Sequence, residues 1–299
     1  MPSLASWIKA ARLRTLPLAL ASIFMGGGLA LSQESFNYLA VICAALTTLF
    51  LQILSNFAND YGDFTSGVDN RKRVGPTRSV QSGAISSKQM KAAIVVFSVI
   101  ALINGLVLIF AVSQVTAVAK MVFVALGLMA ILAAILYTVG NNPYGYKGFG
   151  EVFVFLFFGI VAVGGTFYLS VGFWEWPVLL PASAMGLLSA GVLNINNMRD
   201  IENDIANNKR TIASRLGLDR ARTFQAALIL IPFPLLLLYL FIGSRNLIGL
   251  GFLIVLPLFL ADLIDIKKSK CEKFLDPFLR KLAIKTLLLT VVYIILINI

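Results

Sequence analysis

Two short segments of this sequence carry the side chains best suited to bind a metal ion. They read "NFANDYGDFTSGVDNRKRVGPTR" (residues 56–78) and "NINNMRDIENDIANNKRTIASRLG" (residues 194–217). The chain contains no histidine, and carboxylate and carboxamide oxygens without histidine or cysteine suit Mg²⁺ or Mn²⁺. The pattern therefore predicts a site for Mg²⁺. Its predicted ligands, direct or through water, are Asn59, Asp60, Asp63, Asp69, Asp200 and Asp204.

The spacing within the second segment supports this hypothesis. Asp200 and Asp204 are four residues apart, which on a helix places both carboxylates on one face. Like charges repel at that spacing, so another group must offset them. The alternative is a pair of solvated loop carboxylates, the usual meaning of an isolated D-x-x-x-D. Two acidic clusters at the ends of apolar segments disfavour that alternative, because charge is costly beside a bilayer.

Basic residues follow both acidic segments, and together the two charge types suggest a ligand that carries phosphates. Two unit charges about 4 Å apart interact by about 4 kcal/mol at an effective dielectric constant near 20, so bare carboxylates repel a diphosphate. Mg²⁺ bridges carboxylates to phosphates, while Lys and Arg hold the remaining oxygens. Taken alone, each basic residue is better explained as a determinant of membrane topology. As a set, the predicted diphosphate ligands are Arg14, Arg73, Arg78, Lys209 and Arg210.

The elements that position these residues are long apolar segments. The chain is 59% hydrophobic and 13% charged, whereas an ordinary soluble domain has about 25% charged residues. A helix needs about 20 mostly apolar residues to cross a bilayer, and such long runs argue against alternating β-barrel strands. We therefore predict an all-α, polytopic membrane protein with about nine transmembrane helices. The predicted spans are 13–31, 36–58, 91–112, 117–139, 150–172, 176–198, 222–242, 246–266 and 282–298.

The distribution of charge sets the predicted orientation. The net charge is +11, which by itself is compatible with nucleic-acid binding. With a cytoplasmic N-terminus, however, 23 of the 25 Lys and Arg residues fall on one side of the membrane, and only Lys120 and Arg245 fall on the other. This asymmetry follows the positive-inside rule. It predicts no nucleic-acid partner, cytoplasmic acidic loops and a C-terminus outside.

The two acidic segments also suggest an internal repeat. Both follow an even-numbered span, and Asp63 and Asp200 are separated by four predicted spans. Repeats of this kind occur in several membrane folds. No soluble domain or long linker is evident, so residues 1–299 are predicted to form a single domain, with aspartate-rich loops at 56–90 and 194–221.

The acidic segments resemble the aspartate-rich loops of the UbiA superfamily of intramembrane aromatic prenyltransferases. Asn59, Asp60 and Asp63 match the first motif of that family, N-D-x-x-D-x-x-x-D, with Asp69 two residues later than the last aspartate of the commonest form. The second motif, D-x-x-x-D, falls in "RDIEND". A Tyr-to-Lys element of the family is matched by "NPYGYKGFGE".

The resemblance extends to one branch, the 1,4-dihydroxy-2-naphthoate polyprenyltransferases of menaquinone synthesis. It covers the whole chain, in "ARLRTLPLAL", "NFANDYGDFTSGVDN", "YGYKGFGEVFVFLFFG" and "NNMRDIENDIANNKRTIASRLG". The N-D-Y-G-D form with the late Asp69 is specific to this branch. One departure is Asn208, where the branch usually has Gly before the Lys.

The resemblance implies a reaction and a set of roles. A polyprenyl group would pass from polyprenyl diphosphate to 1,4-dihydroxy-2-naphthoate, with Mg²⁺ as cofactor and loss of CO₂ and diphosphate, to give demethylmenaquinol in the cell inner membrane. The lipid bilayer is the remaining partner. The implied catalytic carboxylates are Asp60, Asp63, Asp200 and Asp204. The implied acceptor-binding residues are Tyr144, Lys147, Asn196 and Arg199.

Two alternatives remain at this stage. The first is another member of the superfamily, with 4-hydroxybenzoate, homogentisate or haem as acceptor, which would keep the metal site and change the ring pocket. The second is a cation-coupled secondary transporter, in which carboxylates generally lie near the bilayer midplane on broken helices. The depth of the carboxylates along their helices distinguishes a transporter from a transferase.

Overall fold

The computed structural model describes residues 2–70, 74–244, 247–269 and 272–299, and within these residues the chain is helical without a β-strand. The predicted all-α fold is therefore confirmed. We number its α-helices in chain order. They are α1 Leu4–Ala11, α2 Leu16–Ala30, α3 Tyr38–Thr65, α4 Ser87–Ala111, α5 Ala117–Leu136, α6 Gly150–Val154, α7 Gly165–Val171, α8 Leu179–Arg199, α9 Ile201–Ala206, α10 Ile212–Leu216, α11 Leu218–Leu230, α12 Pro232–Tyr239, α13 Leu256–Lys268 and α14 Asp276–Ile297.

Within the described residues, eight helical segments are long and apolar enough to cross a membrane. They agree with the first eight predicted spans, and some of them combine α-helical with 3₁₀ or π turns. These segments are Leu4–Ala30, Tyr38–Thr65, Ser87–Ala111, Ala117–Leu136, Gly150–Val171, Trp176–Arg199, Leu218–Gly243 and Ile248–Lys268.

The ninth predicted span, 282–298, lies in α14, which is long enough to cross but has Arg280, Lys281 and Lys285 within its first ten residues. Two of its cations pair with an acid of α13. The Lys285 Nζ lies 2.6 Å from the Asp262 Oδ2 of α13, and the Lys281 Nζ lies 3.9 Å from the other carboxylate oxygen. Pairing of this kind is how a charged side chain is accommodated in a transmembrane helix. The prediction of about nine spans is thus consistent with the structure.

Local sequence fixes where the early helices begin. Asn37 accepts a hydrogen bond from the Ala40 amide at 3.2 Å and so caps α3. Ser86 and Gln89 form a reciprocal capping box at the start of α4, and Thr116 caps α5. Such side chains satisfy amides that would otherwise lack partners in the first helical turn.

The segment from α6 to α7 is not a continuous α-helix, because residues Phe155–Gly164 form a π-helix. This π-helix packs closely against α8. A Cβ atom at Gly159 would lie 2.5 Å from the Ala182 carbonyl oxygen, so only glycine allows this approach. π turns often occur at functional sites, and here the π-helix places both Phe157 and Phe158 on the wall of the central cavity.

Candidate active site

A cavity of about 340 Å³ lies between the helices of the bundle. Its polar end is lined by Asn59, Asp63, Arg78 and Lys209, and the rest of its wall is mainly apolar. Along α3 the lining reaches from Asp63 back to Ala44, a distance of about 28 Å at a helical rise of about 1.5 Å per residue. The cavity therefore joins a charged end to an apolar channel that approaches the thickness of a bilayer core.

Arg78 organises the first acidic segment. Its Nη1 lies 2.7 Å from the Asp63 Oδ2, and its Nε lies 3.1 Å from the Asp69 Oδ2. It also donates a hydrogen bond to the Asn59 carbonyl. Burial opposes the charge of Arg78, but Asp63 and then Asp69 outweigh this effect and raise the pKa of the guanidinium. Arg78 thus stays charged and holds the two aspartates on one side of the cavity.

Asp60 has a different environment from Asp63. Its Oδ2 accepts a hydrogen bond from the Ser79 amide at 3.0 Å, and its Oδ1 accepts one from the Val80 amide at 3.1 Å. The residue is buried and does not line the cavity. In this structure Asp60 therefore fixes the loop that carries Arg78, and its predicted role as a metal ligand stays a prediction.

Arg199 joins the second acidic segment to the C-terminal helix. Its Nε and Nη2 lie 3.0 and 2.5 Å from the two oxygens of Asp200, and its Nη1 lies 2.5 Å from the Asp276 Oδ1. The Nη2 also donates to the Asn196 Oδ1 at 2.8 Å. Because Arg199 is buried and engaged on all sides, it orients Asp200 and Asn196. Its predicted contact with the acceptor ring stays a prediction.

Asp204 is a buried carboxylate with few partners. The Lys209 Nζ lies 3.4 Å from its Oδ1, and neither of its oxygens has a hydrogen-bond partner among the described residues. Burial, with smaller effects from Asp200 and Asp63, raises the pKa of Asp204 from an ordinary value of 3.8 to about 6, although Lys209 opposes the shift. Burial also opposes the charge of Lys209, but Asp204 and Asp63 outweigh it and raise the pKa of that ammonium.

The backbone next to Lys209 explains the departure from the branch pattern at Asn208. Asn208 has a φ of +56°, in the left-handed region that glycine adopts without cost. Asparagine is the side chain that tolerates this region best after glycine. Asn208 therefore keeps the turn that glycine would make, and the Lys209 amide still donates to the Asp204 carbonyl at 2.8 Å.

Tyr146 holds the two acidic segments together, and sequence reasoning missed it. Its hydroxyl donates to the Asp63 Oδ1 at 2.7 Å and lies 2.7 Å from the Ser66 Oγ. The Lys209 Nζ lies 5.4 Å from the centre of its ring, and its carbonyl accepts a hydrogen bond from the Arg210 amide at 2.9 Å. The sequence offers only its proximity to Tyr144, and nothing in the spacing tells which tyrosine reaches the aspartates.

Tyr144 occupies the cavity wall instead. Its ring stacks on Phe153 with centroids 4.1 Å apart, and its hydroxyl donates to the Ala133 carbonyl at 2.8 Å. Lys147 is exposed and does not line the cavity, although its carbonyl accepts a hydrogen bond from the Arg215 Nη2 at 2.7 Å. The structure therefore brings Tyr144 to the cavity and leaves the Lys147 side chain outside it.

Among the other predicted basic residues, some line the cavity and others do not. Arg14 lines the cavity, and its Nη1 lies 3.2 Å from the Asp276 Oδ2. Arg210 is exposed and does not line the cavity, and Arg73 lies outside the described residues. Asp276, the first residue of α14, was not among the predicted site residues, although an acidic residue at the start of a helix and among Lys and Arg residues was a signal for it. Its carboxylate joins Arg14 to Arg199.

The predicted site residues thus form three groups. Those that line the cavity are Arg14, Asn59, Asp63, Arg78, Tyr144, Asn196 and Lys209. Those that lie buried without lining it are Asp60, Asp69, Arg199, Asp200 and Asp204. Exposed ones are Lys147 and Arg210.

The acidic residues are suited to bind Mg²⁺ together with a phosphorylated ligand, rather than as a complete metal site on their own. In the described parts of the chain, no three acidic side chains converge as a complete metal site would. Mg²⁺ generally keeps waters and takes one or two carboxylates together with substrate phosphates. The two oxygens of Asp204, buried without hydrogen bonds, are an unusual feature that a cation would satisfy.

Comparison with known proteins agrees with this geometry. A sequence profile described as "UbiA prenyltransferase family" matches residues 19–284. The chain is 39% identical over 289 residues to a protein of Haemophilus influenzae named 1,4-dihydroxy-2-naphthoate octaprenyltransferase, covering 96% of this chain and 94% of that protein. The protein of the same name from Escherichia coli is 40% identical over 285 residues, covering 95% and 92%.

Solved structures show the same fold. A UbiA homolog from Aeropyrum pernix matches with a TM-score of 0.67 at 17% identity, covering 96% of this chain and 99% of that one. A UbiA homolog from Archaeoglobus fulgidus, bound to GPP and Mg²⁺, matches with a TM-score of 0.66 at 18% identity, covering 98% and 100%.

We expect Tyr146→Phe to destabilise the folded protein. The substitution removes the hydroxyl that donates to buried Asp63, and hydrogen bonds to charged groups contribute roughly 1.5–3 kcal/mol. The melting temperature in detergent micelles should fall by several degrees. Tyr61→Phe is the matched control, because no hydrogen bond of the Tyr61 hydroxyl is found in the described structure. Equal melting temperatures for both variants would contradict the role of Tyr146.

We also expect Mg²⁺ to raise the melting temperature more at pH 8 than at pH 5. The folded protein holds a proton on Asp204 up to about pH 6, whereas an unfolded aspartate loses it near pH 3.9. Without metal, stability therefore falls as the pH rises through this window. Above this pH window the buried Asp204 carboxylate is charged, and a bound cation offsets that charge. Asp204→Asn should reduce this pH dependence, and an unchanged dependence in that variant would contradict the assignment to Asp204.

Proposed function

The chain belongs to the UbiA prenyltransferase family, and on that premise we propose that it transfers a long polyprenyl group from polyprenyl diphosphate to 1,4-dihydroxy-2-naphthoate. Loss of CO₂ and diphosphate gives demethylmenaquinol. Relatives that carry the name of this activity align with the chain over nearly all of its length. Their coverage supports the assignment of a whole-protein activity.

The observation that carries the proposal is the continuity of the charged and apolar parts of one cavity. Arg78 and Lys209 line its polar end beside Asp63, and Phe153 and Phe157 line its apolar wall. A polyprenyl diphosphate has the same two parts. Each buried CH₂ group contributes about 0.8 kcal/mol, so the apolar channel favours the tail, while guanidinium and ammonium groups favour the diphosphate.

The acidic residues would hold Mg²⁺ against this diphosphate, with Asp63 at the cavity and Asp200 and Asp204 behind it. When bound, the cation supplies positive charge that stabilises the departing diphosphate. Asn59, Asp60 and Asp69 complete the proposed ligand set. Arg78 and Lys209 contribute fixed positive charge from the protein itself, and their pairing with carboxylates keeps them in position before the substrate arrives. Further proposed diphosphate ligands are Arg14, Arg73 and Arg210.

The chemical step needs no covalent intermediate with the protein. The allylic C–O bond breaks with its electron pair on the diphosphate, and the acceptor carbon that bears the carboxylate forms the new C–C bond. The bond to CO₂ then breaks, and its electron pair restores the aromatic ring. Tyr144, Phe153 and Phe157 line the cavity, and aromatic rings of this kind stabilise nearby positive charge. The apolar wall also excludes water that would otherwise capture the allylic cation.

The distribution of charged residues supports a membrane location and an orientation. We propose that this multi-pass protein lies in the cell inner membrane with its N-terminus and acidic loops in the cytoplasm and its C-terminus outside, because Lys and Arg are concentrated on one side. The aspartate-rich loops 56–90 and 194–221 then form one site within a single domain of residues 1–299. The acids lie at the ends of α3 and α8 and in α9, whereas a transporter would place them near mid-span.

The acceptor is tested with purified protein, Mg²⁺ and a long polyprenyl diphosphate. Parallel reactions contain 1,4-dihydroxy-2-naphthoate, 4-hydroxybenzoate or homogentisate, and products are identified by mass spectrometry. We expect a prenylated naphthoquinol that lacks the mass of the carboxyl group. A product with another acceptor only would contradict the acceptor assignment and keep the diphosphate chemistry. The absence of any product from folded protein would contradict the transferase proposal.

The carboxylates are tested by substitution. Asp63→Ala, Asp200→Ala and Asp204→Ala should each lower kcat by at least about 100-fold, the scale on which lost electrostatic stabilisation acts. Glu202→Ala is the matched control, because Glu202 lies in the same segment but is exposed, and it should retain activity. Membrane insertion is checked by fractionation. Activity retained in any two aspartate variants would rule out the metal-bridge arrangement, and so would turnover that resists EDTA.

A further inference from the structure

The cavity has a charged mouth beside the first turns of α14. Arg280 of α14 lines the cavity there and is exposed. It follows Asp276 by one helical turn, so both lie on the same face of α14. Asp276 in turn contacts Arg14 of the N-terminal segment. The mouth is therefore built where the first and last membrane segments meet.

Arg280 differs from Arg78, Lys209 and Arg14 in its pairing. Arg78 is held by Asp63 and Asp69, Lys209 by Asp204, and Arg14 by Asp276. No described carboxylate lies within ion-pair distance of Arg280. A guanidinium with an open face toward a cavity is suited to bind a carboxylate through two parallel hydrogen bonds.

Asn196 supplies a second open donor on the wall of the same cavity. Its Oδ1 accepts a hydrogen bond from the Arg199 Nη2 at 2.8 Å, and Arg199 also contacts Asp276. This bond fixes the orientation of the amide, and its nitrogen has no hydrogen bond within the described structure. Because Asn196 lines the cavity, its amide nitrogen is available to an oxygen of a bound molecule.

We propose that Arg280 binds the carboxylate of the aromatic acceptor, with the Asn196 amide as a second donor. This inference rests on the proposed function, which supplies an acceptor that carries a carboxylate. Of the two cations that the family resemblance implies at the acceptor, Lys147 is exposed outside the cavity and Arg199 is engaged by Asp200 and Asp276. Arg280 therefore acts as a specificity residue, and it selects aromatic acids over neutral phenols.

The test compares Arg280→Gln with the wild-type protein under anaerobic conditions. We expect the KM for 1,4-dihydroxy-2-naphthoate to rise roughly ten- to hundredfold, the loss expected for a hydrogen bond between charged groups. The KM for polyprenyl diphosphate should change less than about twofold. The inhibition constant of 1,4-dihydroxynaphthalene, which has no carboxylate, should stay the same. Arg280→Lys should recover part of the affinity.

Lys281→Gln is the matched control, because Lys281 is the neighbouring cation and points toward Asp262 rather than the cavity. It should leave both KM values unchanged. A larger KM for polyprenyl diphosphate in Arg280→Gln would overturn the proposal and assign Arg280 to the diphosphate. Unchanged acceptor affinity in folded Arg280→Gln would overturn it as well.

Equilibrium binding separates this inference from the proposed function. Binding of 1,4-dihydroxy-2-naphthoate, measured by tryptophan fluorescence without donor, requires no turnover. If the wild-type protein binds the acid but transfers no prenyl group to it, the proposed reaction fails, and weaker binding by Arg280→Gln still supports the carboxylate site. If the wild-type protein does not bind the acid, the carboxylate site itself is overturned.

Discussion

The structure depends on the neutralisation of buried charge at one end of a membrane bundle. An isolated charge is costly to remove from water, and it is retained only when it is paired and hydrogen-bonded. Arg78 meets this requirement through Asp63 and Asp69, and Arg199 meets it through Asp200 and Asp276. The pair of Arg199 and Asp276 joins α8 to α14, which are distant in sequence, whereas the other pairs are local. The requirement for charge balance therefore also fixes how the helices are arranged around the site.

This balance is incomplete at two residues, one buried acid and one cation that lines the cavity. Within the described residues, the Asp204 oxygens have a single ion pair and no hydrogen bonds, and Arg280 has no carboxylate nearby. Asp69 and Asp60, in contrast, are engaged by Arg78 or by backbone amides. The two acidic segments thus contain carboxylates that hold the loop and one, Asp204, that has no hydrogen bond among the described residues. Charge and desolvation, rather than residue type, separate the two groups.

The apolar part of the cavity follows from a second constraint, the packing of helices at unequal distances. Gly159 lets the π-helix approach α8 closely, and the π turn directs Phe157 and Phe158 to the cavity wall. Close contact on one side of this segment leaves open space on the other, between it and α3. The channel for an apolar chain is therefore a consequence of uneven helix packing around a charged end.

The sequence alone determined the membrane class, the helical fold and the two acidic segments, because apolar length and charge spacing are local properties of the chain. It also placed Asp63, Arg78, Asn196 and Lys209 in one site through the motif pattern. Only the tertiary structure decided that Tyr146 rather than Tyr144 reaches Asp63, that the Lys147 side chain points away from the cavity, and that Arg199 is enclosed by acids. The positions of these side chains depend on which helices and loops pack together around the cavity. A contact such as that between Arg199 and Asp276 joins residues far apart in sequence, and no local spacing encodes it.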